Sequence, residues 1–250
     1  MIKPSNRISL IAGLASILLL VAGCQTAPHA SVPSPASPAT TLSSPSSKES
    51  QAAMTPRQAL AELRAGNARF VAGQPLVRHP AADVKATAAG QYPYAIVLSC
   101  IDSRQPIELV LDQGIGDIFS ARVAGNVLND DILGSMEFAC KVSGAKLIAV
   151  IGHSNCGAIK GAIDNAELGS LTGLLARIKP AIDQVAVEGQ PRTSKNHELV
   201  DKVADANVRL VMRQILERSP VLREMLDHGQ IGIVGGMYDL GTGEVHFYDK

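Results

Sequence analysis

Two short runs constrain the fold of this chain more than any other feature: Tyr94–Ser99 (YAIVLS) and Lys146–Ile151 (KLIAVI) are apolar at successive positions rather than alternate ones. Successive side chains of a strand point to opposite faces, so a run apolar on both faces belongs in the middle of a sheet covered on both sides. Such sheets are parallel, and each parallel step needs a crossover long enough to hold a helix. The residues between the two runs supply one, with a strand at Ile118–Val123 and a helix from about Asp130 to Val142 stopped by Gly144. Upstream, Thr55-Pro56-Arg57-Gln58 reads as a capping box with proline at the first helical position, and Leu60, Leu63, Phe70 and Val71 form its apolar stripe. Downstream, Leu168–Glu188 and Lys195–Arg218 have helical periodicity, and strands at Ile231–Met237 and Val245–Tyr248 meet at Gly241-Thr242-Gly243. The predicted class is α/β, with a mostly parallel central sheet flanked by helices and no internal repeat.

Charge narrows the function. The 23 Lys and Arg balance 23 Asp and Glu, and removing a leader that holds Lys3 and Arg7 leaves 21 against 23, a formal charge of −2. Nucleic-acid binding by electrostatics is therefore not expected. Four cysteines are too few for a disulfide-dense scaffold.

The first 50 residues read as an address rather than a fold. Lys3 and Arg7 precede an apolar run, Ile8–Ala22, and the run ends in Val21-Ala22-Gly23-Cys24, which resembles a bacterial lipobox. The resemblance implies a lipoprotein signal peptide over 1–23 and acyl chains on Cys24, each buried CH₂ contributing about 0.8 kcal/mol to membrane anchoring. Residues 31–50 hold eight Ser and four Pro, so 24–50 is expected to be a lipidated Cys and flexible tether, leaving 51–250 as the domain. Gln25 after the cysteine would direct such a lipoprotein to the periplasmic face of the outer membrane in a Gram-negative host.

The chemistry follows the two buried runs directly. Cys100-Ile101-Asp102-Ser103-Arg104 succeeds the first and His153-Ser154-Asn155-Cys156-Gly157 the second, at the carboxyl ends where open α/β sheets bind ligands. Two thiolates and an imidazole suit Zn²⁺, and three protein ligands leave a fourth position for water. A disulfide between Cys100 and Cys156 is the alternative use of the same convergence. Cys140, within an apolar helical stretch, reads as a small core residue.

Cys100-x-Asp102-x-Arg104 followed by His153-x-x-Cys156-Gly157 resembles the β-class carbonic anhydrases, and the likeness runs from about Thr55 to Tyr248. It includes DQGIGDIFSARVAGNVLNDDILGSMEFAC, HSNCGAIKGAI, RTSKN and GMYDLGTGEVHFY. The resemblance implies a β-carbonic anhydrase-like fold and one Zn²⁺ per chain on Cys100, His153 and Cys156. It further implies a lyase that reversibly hydrates CO₂ to bicarbonate and a proton through zinc-bound hydroxide. Asp102 and Arg104 correspond to the catalytic pair: Asp102 held by Arg104 accepts a hydrogen bond from the hydroxide, and Asp102 released becomes a fourth ligand only in a closed form. The same alignment places Gln91, Phe119, Phe138 and Gly157 in the substrate pocket, Phe138 standing where Tyr is usual. Arg122 and Tyr238 sit near positions that hold an inhibitory bicarbonate in another branch of the family. This chain has no Trp to complete that site, so no off-switch is expected. The family further implies a homodimer or a higher multiple of dimers, with Thr55–Gly73 as an N-terminal helical arm crossing onto a neighbour. A zinc hydrolase of CS₂ or COS, or a catalytically silent zinc-binding protein, are the alternatives.

Overall fold

The structure, a computed structural model, describes residues 43–186, 189 and 191–248. The leader and Cys24 lie outside the described residues. In chain order the elements are α1 (Lys48–Ala53), α2 (Pro56–Val71), α3 (Pro80–Thr87), β1 (Ala95–Ser99), α4 (Ile107–Val110), β2 (Ile118–Arg122), α5 (Asp130–Glu137), β3 (Leu147–His153), α6 (Gly157–Ile163), α7 (Gly169–Ala176), α8 (Lys179–Asp183), α9 (His197–Arg218), α10 (Pro220–Asp227), β4 (Gly232–Tyr238) and β5 (Val245–Phe247).

The sheet runs β2-β1-β3-β4-β5, parallel except for β5, which returns antiparallel along β4. Every residue of β1 and β3 is buried, and parity decides which layer each one joins. Ile96, Leu98, Ile148 and Val150 face Met136, Val208, Ile215 and Leu222 of the helices on one side. Ala95, Val97, Leu147, Ala149 and Ile151 face Ala59, Leu63, Ile107 and Val110 on the other. The two apolar runs are thus the central strands, covered twice, and each fully buried Leu or Ile contributes about 1.5–3 kcal/mol.

The capping box at Thr55 is present: Gln58 N donates to Thr55 Oγ1, and Thr55 N donates to the Gln58 side chain. Within its own chain, α2 also packs against the sheet. Ala59 and Leu63 are fully buried in the chain's own core. Asn67 donates to the carbonyls of Val110 and Gly243 and accepts from Val245 N, which staples α2 to its own sheet.

Two further boundaries shift. The folded part begins by Ser43 rather than Gln51, because the serines at the end of the expected tether act as hydrogen-bonding groups. Ser46 donates twice to Asp117 Oδ1, and Ser47 caps α1. Buried Gln51 donates to the carbonyls of Pro93 and Ser143 at 2.7 and 2.8 Å. The helix expected over Leu168–Glu188 is two helices, α7 and α8, parted at Arg177-Ile178. Pro180 follows, and its ring and missing N–H disfavour an unbroken helix. The helix at Asp130 runs through a π-helical turn, Phe138–Val142, and ends at Gly144, whose φ of +83° suits a residue without Cβ.

Candidate metal centre

The sheet register assembles the site. Ser99 pairs with Ile151, so Cys100 leaves β1 beside the end of β3, where His153 is the last strand residue. Three residues on, Cys156 occupies the N-cap position of α6. Cys100, His153 and Cys156 are 4%, 1% and 1% exposed, and their three ligand atoms all lie within 4.8 Å of one another. The cysteines are free thiols rather than a disulfide.

Two observations test whether this group suits a metal. His153 Nδ1 lies 2.9 Å from Ser154 O, an acceptor only, so Nδ1 carries the hydrogen and Nε2 presents a lone pair. That Nε2 is buried and has no hydrogen-bond partner, a costly arrangement that a metal ion relieves. The sulfurs share charge in the same way. Hydrogen bonding from Cys156, helped by the Gly125 N–H, holds the Cys100 thiol well below its ordinary range, while sharing its hydrogen with Cys100, together with burial, pushes Cys156 up. The donor set is borderline-soft and preassembled, and it fits Zn²⁺. Cys140 behaves differently: burial alone pushes its thiol up to about 12, as suits an inert core residue.

Asp102 and Arg104 stand at the edge of the cluster. Asp102 Oδ1 accepts from Arg104 N at 3.0 Å and from Nε at 2.9 Å, and Oδ2 accepts from Nη2 at 2.8 Å. Those bonds hold the Asp102 carboxyl far below the usual carboxylate range. Oδ2 also lies 3.9 Å from His153 Nε2, so the pair borders the ligand atoms. Gly157 opens α6 beside Cys156, with no neighbouring atom within 4 Å of where a Cβ would stand.

The loop carrying Cys100 and Asp102 is clamped from three directions that spacing alone did not reveal. Arg122 donates from Nε to Cys100 O at 3.0 Å and from Nη2 to Asp102 O at 2.7 Å. Tyr238 Oη donates to Arg104 O, and buried Gln105 donates to Gly152 O. Arg122 and Tyr238, considered in sequence as remnants of an anion site, thus hold this loop. The available signal was Arg122 at the end of β2, level with Ser99 across the sheet.

Three expected pocket residues do not reach the cluster of the same chain. Gln91 is exposed and precedes β1, at the end of the sheet opposite Cys100. Phe119 pairs with Ile96, four residues before Cys100, roughly 13 Å away at about 3.3 Å per residue. Phe138 is 51% exposed and meets Phe119 edge-on with ring centres 6.3 Å apart.

Comparison with known proteins agrees with the geometry. The family model for carbonic anhydrase matches residues 95–245. The chain is 35% identical over 190 residues to carbonic anhydrase 2 of Mycobacterium tuberculosis, covering 75% of this chain and 90% of that one. With a carbonic anhydrase of Mycolicibacterium smegmatis it shares 38% over 191 residues, 73% of this chain and 88% of the other. Among solved structures it resembles the β-carbonic anhydrase CafA of Aspergillus fumigatus, with TM-score 0.60, 28% identity, and coverage of 77% and 90%. It also resembles one described among two tetrameric β-carbonic anhydrases of Sordaria macrospora, with TM-score 0.59, 25% identity, and coverage of 78% and 96%. A doubly covered parallel sheet that delivers Cys100, His153 and Cys156 to one buried point, matched along most of its length by these enzymes, makes this chain a member of the zinc-dependent β-class carbonic anhydrase family.

Proposed function

We propose that the chain catalyses reversible hydration of CO₂ to bicarbonate and a proton at Cys100, His153 and Cys156, with Asp102 as the group that orients the attacking water. The observation carrying this reading is the ionised Asp102–Arg104 pair set against a preassembled ligand group. Zinc held there supplies Lewis acidity that brings the pKa of a water from about 15.7 toward 7. Asp102 Oδ1 is fully used by two Arg104 donors, whereas Oδ2 takes one and keeps a lone pair free. Ionised, Asp102 can only accept, so a water donating to Oδ2 turns its own lone pair outward to the carbon of CO₂. Arg104 fixes the carboxylate in that posture and keeps it from turning inward.

Gln91, Phe119 and Phe138 join the reading through a second copy. A homodimer, or a higher multiple of dimers, supplies these residues to the pocket of its neighbour, which accounts for their distance from the cluster within one chain. The tetramers of Sordaria macrospora support that assembly. We further propose that 1–23 is a leader and that Cys24 is lipidated, on the strength of the lipobox-like run, with the enzyme then on the cell-envelope side of a membrane, the periplasmic face of the outer membrane in a Gram-negative host. Among the described residues no helix is long and apolar enough to cross a membrane.

The deciding experiment is stopped-flow CO₂ hydration by the full chain in mild detergent, scanned from roughly pH 6.5 to 9, with zinc assayed on the same sample. Activity near neutrality with one zinc per chain is expected. Bound zinc with no CO₂ hydration across the scan would overturn the proposal and make CS₂ the next substrate to try.

A further inference from the structure

One ligand sulfur is tied to a residue far along the chain. The short 3₁₀ turn Ala124–Asn126 follows β2, and its middle residue, Gly125, has a left-handed φ of 67°. In that conformation the Gly125 N–H donates to Cys100 Sγ at 3.3 Å. A hydrogen bond into a thiolate withdraws charge from the sulfur and fixes the side on which its remaining lone pairs lie. The carbonyl of the same residue is held as well: Asn207 Nδ2, on α9, donates to Gly125 O at 2.8 Å.

The surroundings of Asn207 make this bond more than incidental packing. The residue is 1% exposed, and Val203, Ala204, Val208 and Val211 on the same helix are all core. A carboxamide in such a place carries a desolvation cost unless its groups are matched. Its Oδ1 has no partner, so the side chain forgoes half of its hydrogen-bonding capacity while Nδ2 meets the Gly125 carbonyl. Gly125 is also hemmed in. A Cβ there would lie 2.9 Å from Ile178 Cδ1, so packing shapes the turn from one side and Asn207 from the other.

We propose that Asn207 is a positioning residue for the metal centre. It aims the Gly125 N–H at Cys100 Sγ and thereby sets the charge and placement of that sulfur, and with them how firmly zinc is retained. The inference rests on zinc binding by Cys100, His153 and Cys156, and extends it to a residue that touches neither metal nor substrate.

The test uses the full chain and two readings that do not depend on turnover: the rate of zinc loss to a chelator, and the thiolate-to-metal charge-transfer band after replacement of zinc by Co²⁺. Asn207→Leu keeps nearly the same volume and removes the donor; zinc loss is expected to quicken by roughly 10–100-fold, the usual effect of removing such a supporting bond. The cobalt band should move to longer wavelength, because a sulfur relieved of its hydrogen bond is the stronger electron donor. Ile178→Val, which trims the packing against the same turn and leaves both donors, should lower stability while leaving the band in place.

Folded Asn207→Leu with parental zinc loss and a parental band would overturn the proposal, as would an equal band shift in Ile178→Val. Should Asn207→Leu fail to fold, the parent itself decides. In ¹¹³Cd-loaded, ¹⁵N-labelled protein, scalar coupling between the metal and the Gly125 amide proton is expected, and its absence overturns the proposal. A parent that takes up no zinc, cobalt or cadmium would bring down the zinc reading itself, a result distinct from all of these.

Discussion

Two aspartates ten positions apart, Asp102 and Asp112, are both bonded to arginine, and they serve opposite ends. Asp102 pairs with Arg104, two residues away and 55% exposed, and retains an unused lone pair beside the ligand cluster. Asp112 is 2% exposed at its side chain and is held by Arg69 from α2, by Arg78, and by the backbone N–H of Leu76. Its φ of 47° places it in the left-handed region, and three donors from two segments converge on one carboxylate. A local, solvent-edged pair leaves an oxygen facing the ligand cluster, whereas a long-range, buried one spends the same three bonds on joining α2 and the following loop to the core.

The sharpest way to break this contrast is to neutralise each carboxylate in turn. Asp102→Asn should cut CO₂ hydration by about 10²-fold or more with zinc still bound and the unfolding midpoint little changed. Retained activity with zinc in place would remove the role given to Asp102. Asp112→Asn should reverse the pattern, leaving kcat near the parent and lowering unfolding free energy by about 2 kcal/mol. That is less than a fully buried pair would lose, because Arg69 and Arg78 keep some solvent contact. Denaturant titration followed by circular dichroism measures it.

Acid sharpens the comparison next. Burial alone would raise the Asp112 carboxyl, but its hydrogen bonds from Arg69 and Arg78 outweigh burial and hold it below the ordinary value. A carboxylate whose folded pKa is depressed contributes stability that is complete above its unfolded pKa, about 3.9, and is lost as pH falls through the lower folded pKa. Stability measured from pH 6 downward should therefore fall more steeply below about pH 4 in the parent than in Asp112→Asn. Parallel curves would show that the buried pair is not a source of acid sensitivity. The smallest effect separates the two guanidinium groups. Arg104→Lys, which cannot form the two-point fork, should cost roughly tenfold in rate with little change in stability. Arg78→Lys should cost about 1 kcal/mol in stability and leave the rate alone.

What could be read from the sequence divides along physical lines. Strands β1 and β3 were visible because burial on both faces imprints every position of a run, and the capping box at Thr55 because its partners lie three residues apart. The ligands followed, since a strand end fixes where the next residue goes. Ser46 and Ser47 misled because composition counts hydroxyls and cannot tell one facing water from one bonded to Asp117. The break between α7 and α8 was hidden by apolar spacing that continues through Pro180. Asn207 gave no signal at all: its partner, Gly125, is 82 residues distant, and an asparagine inside a helix looks like surface until the packing is known. Gln91, Phe119 and Phe138 came from family alignment, and nothing in one chain's periodicity tells whether a pocket residue serves its own chain or a neighbour.

The register that sets Ser99 beside Ile151 also bears on how the protein matures. Cys100 and His153 meet only after β1 and β3 lie side by side, which closes a loop containing β2 and α5. Forming so non-local a contact is among the slow steps of folding, because chain entropy is lost before any contact repays it. Metal capture at this centre is therefore a late event that marks a completed topology, and an ion held by the native state alone draws the folding equilibrium forward by mass action.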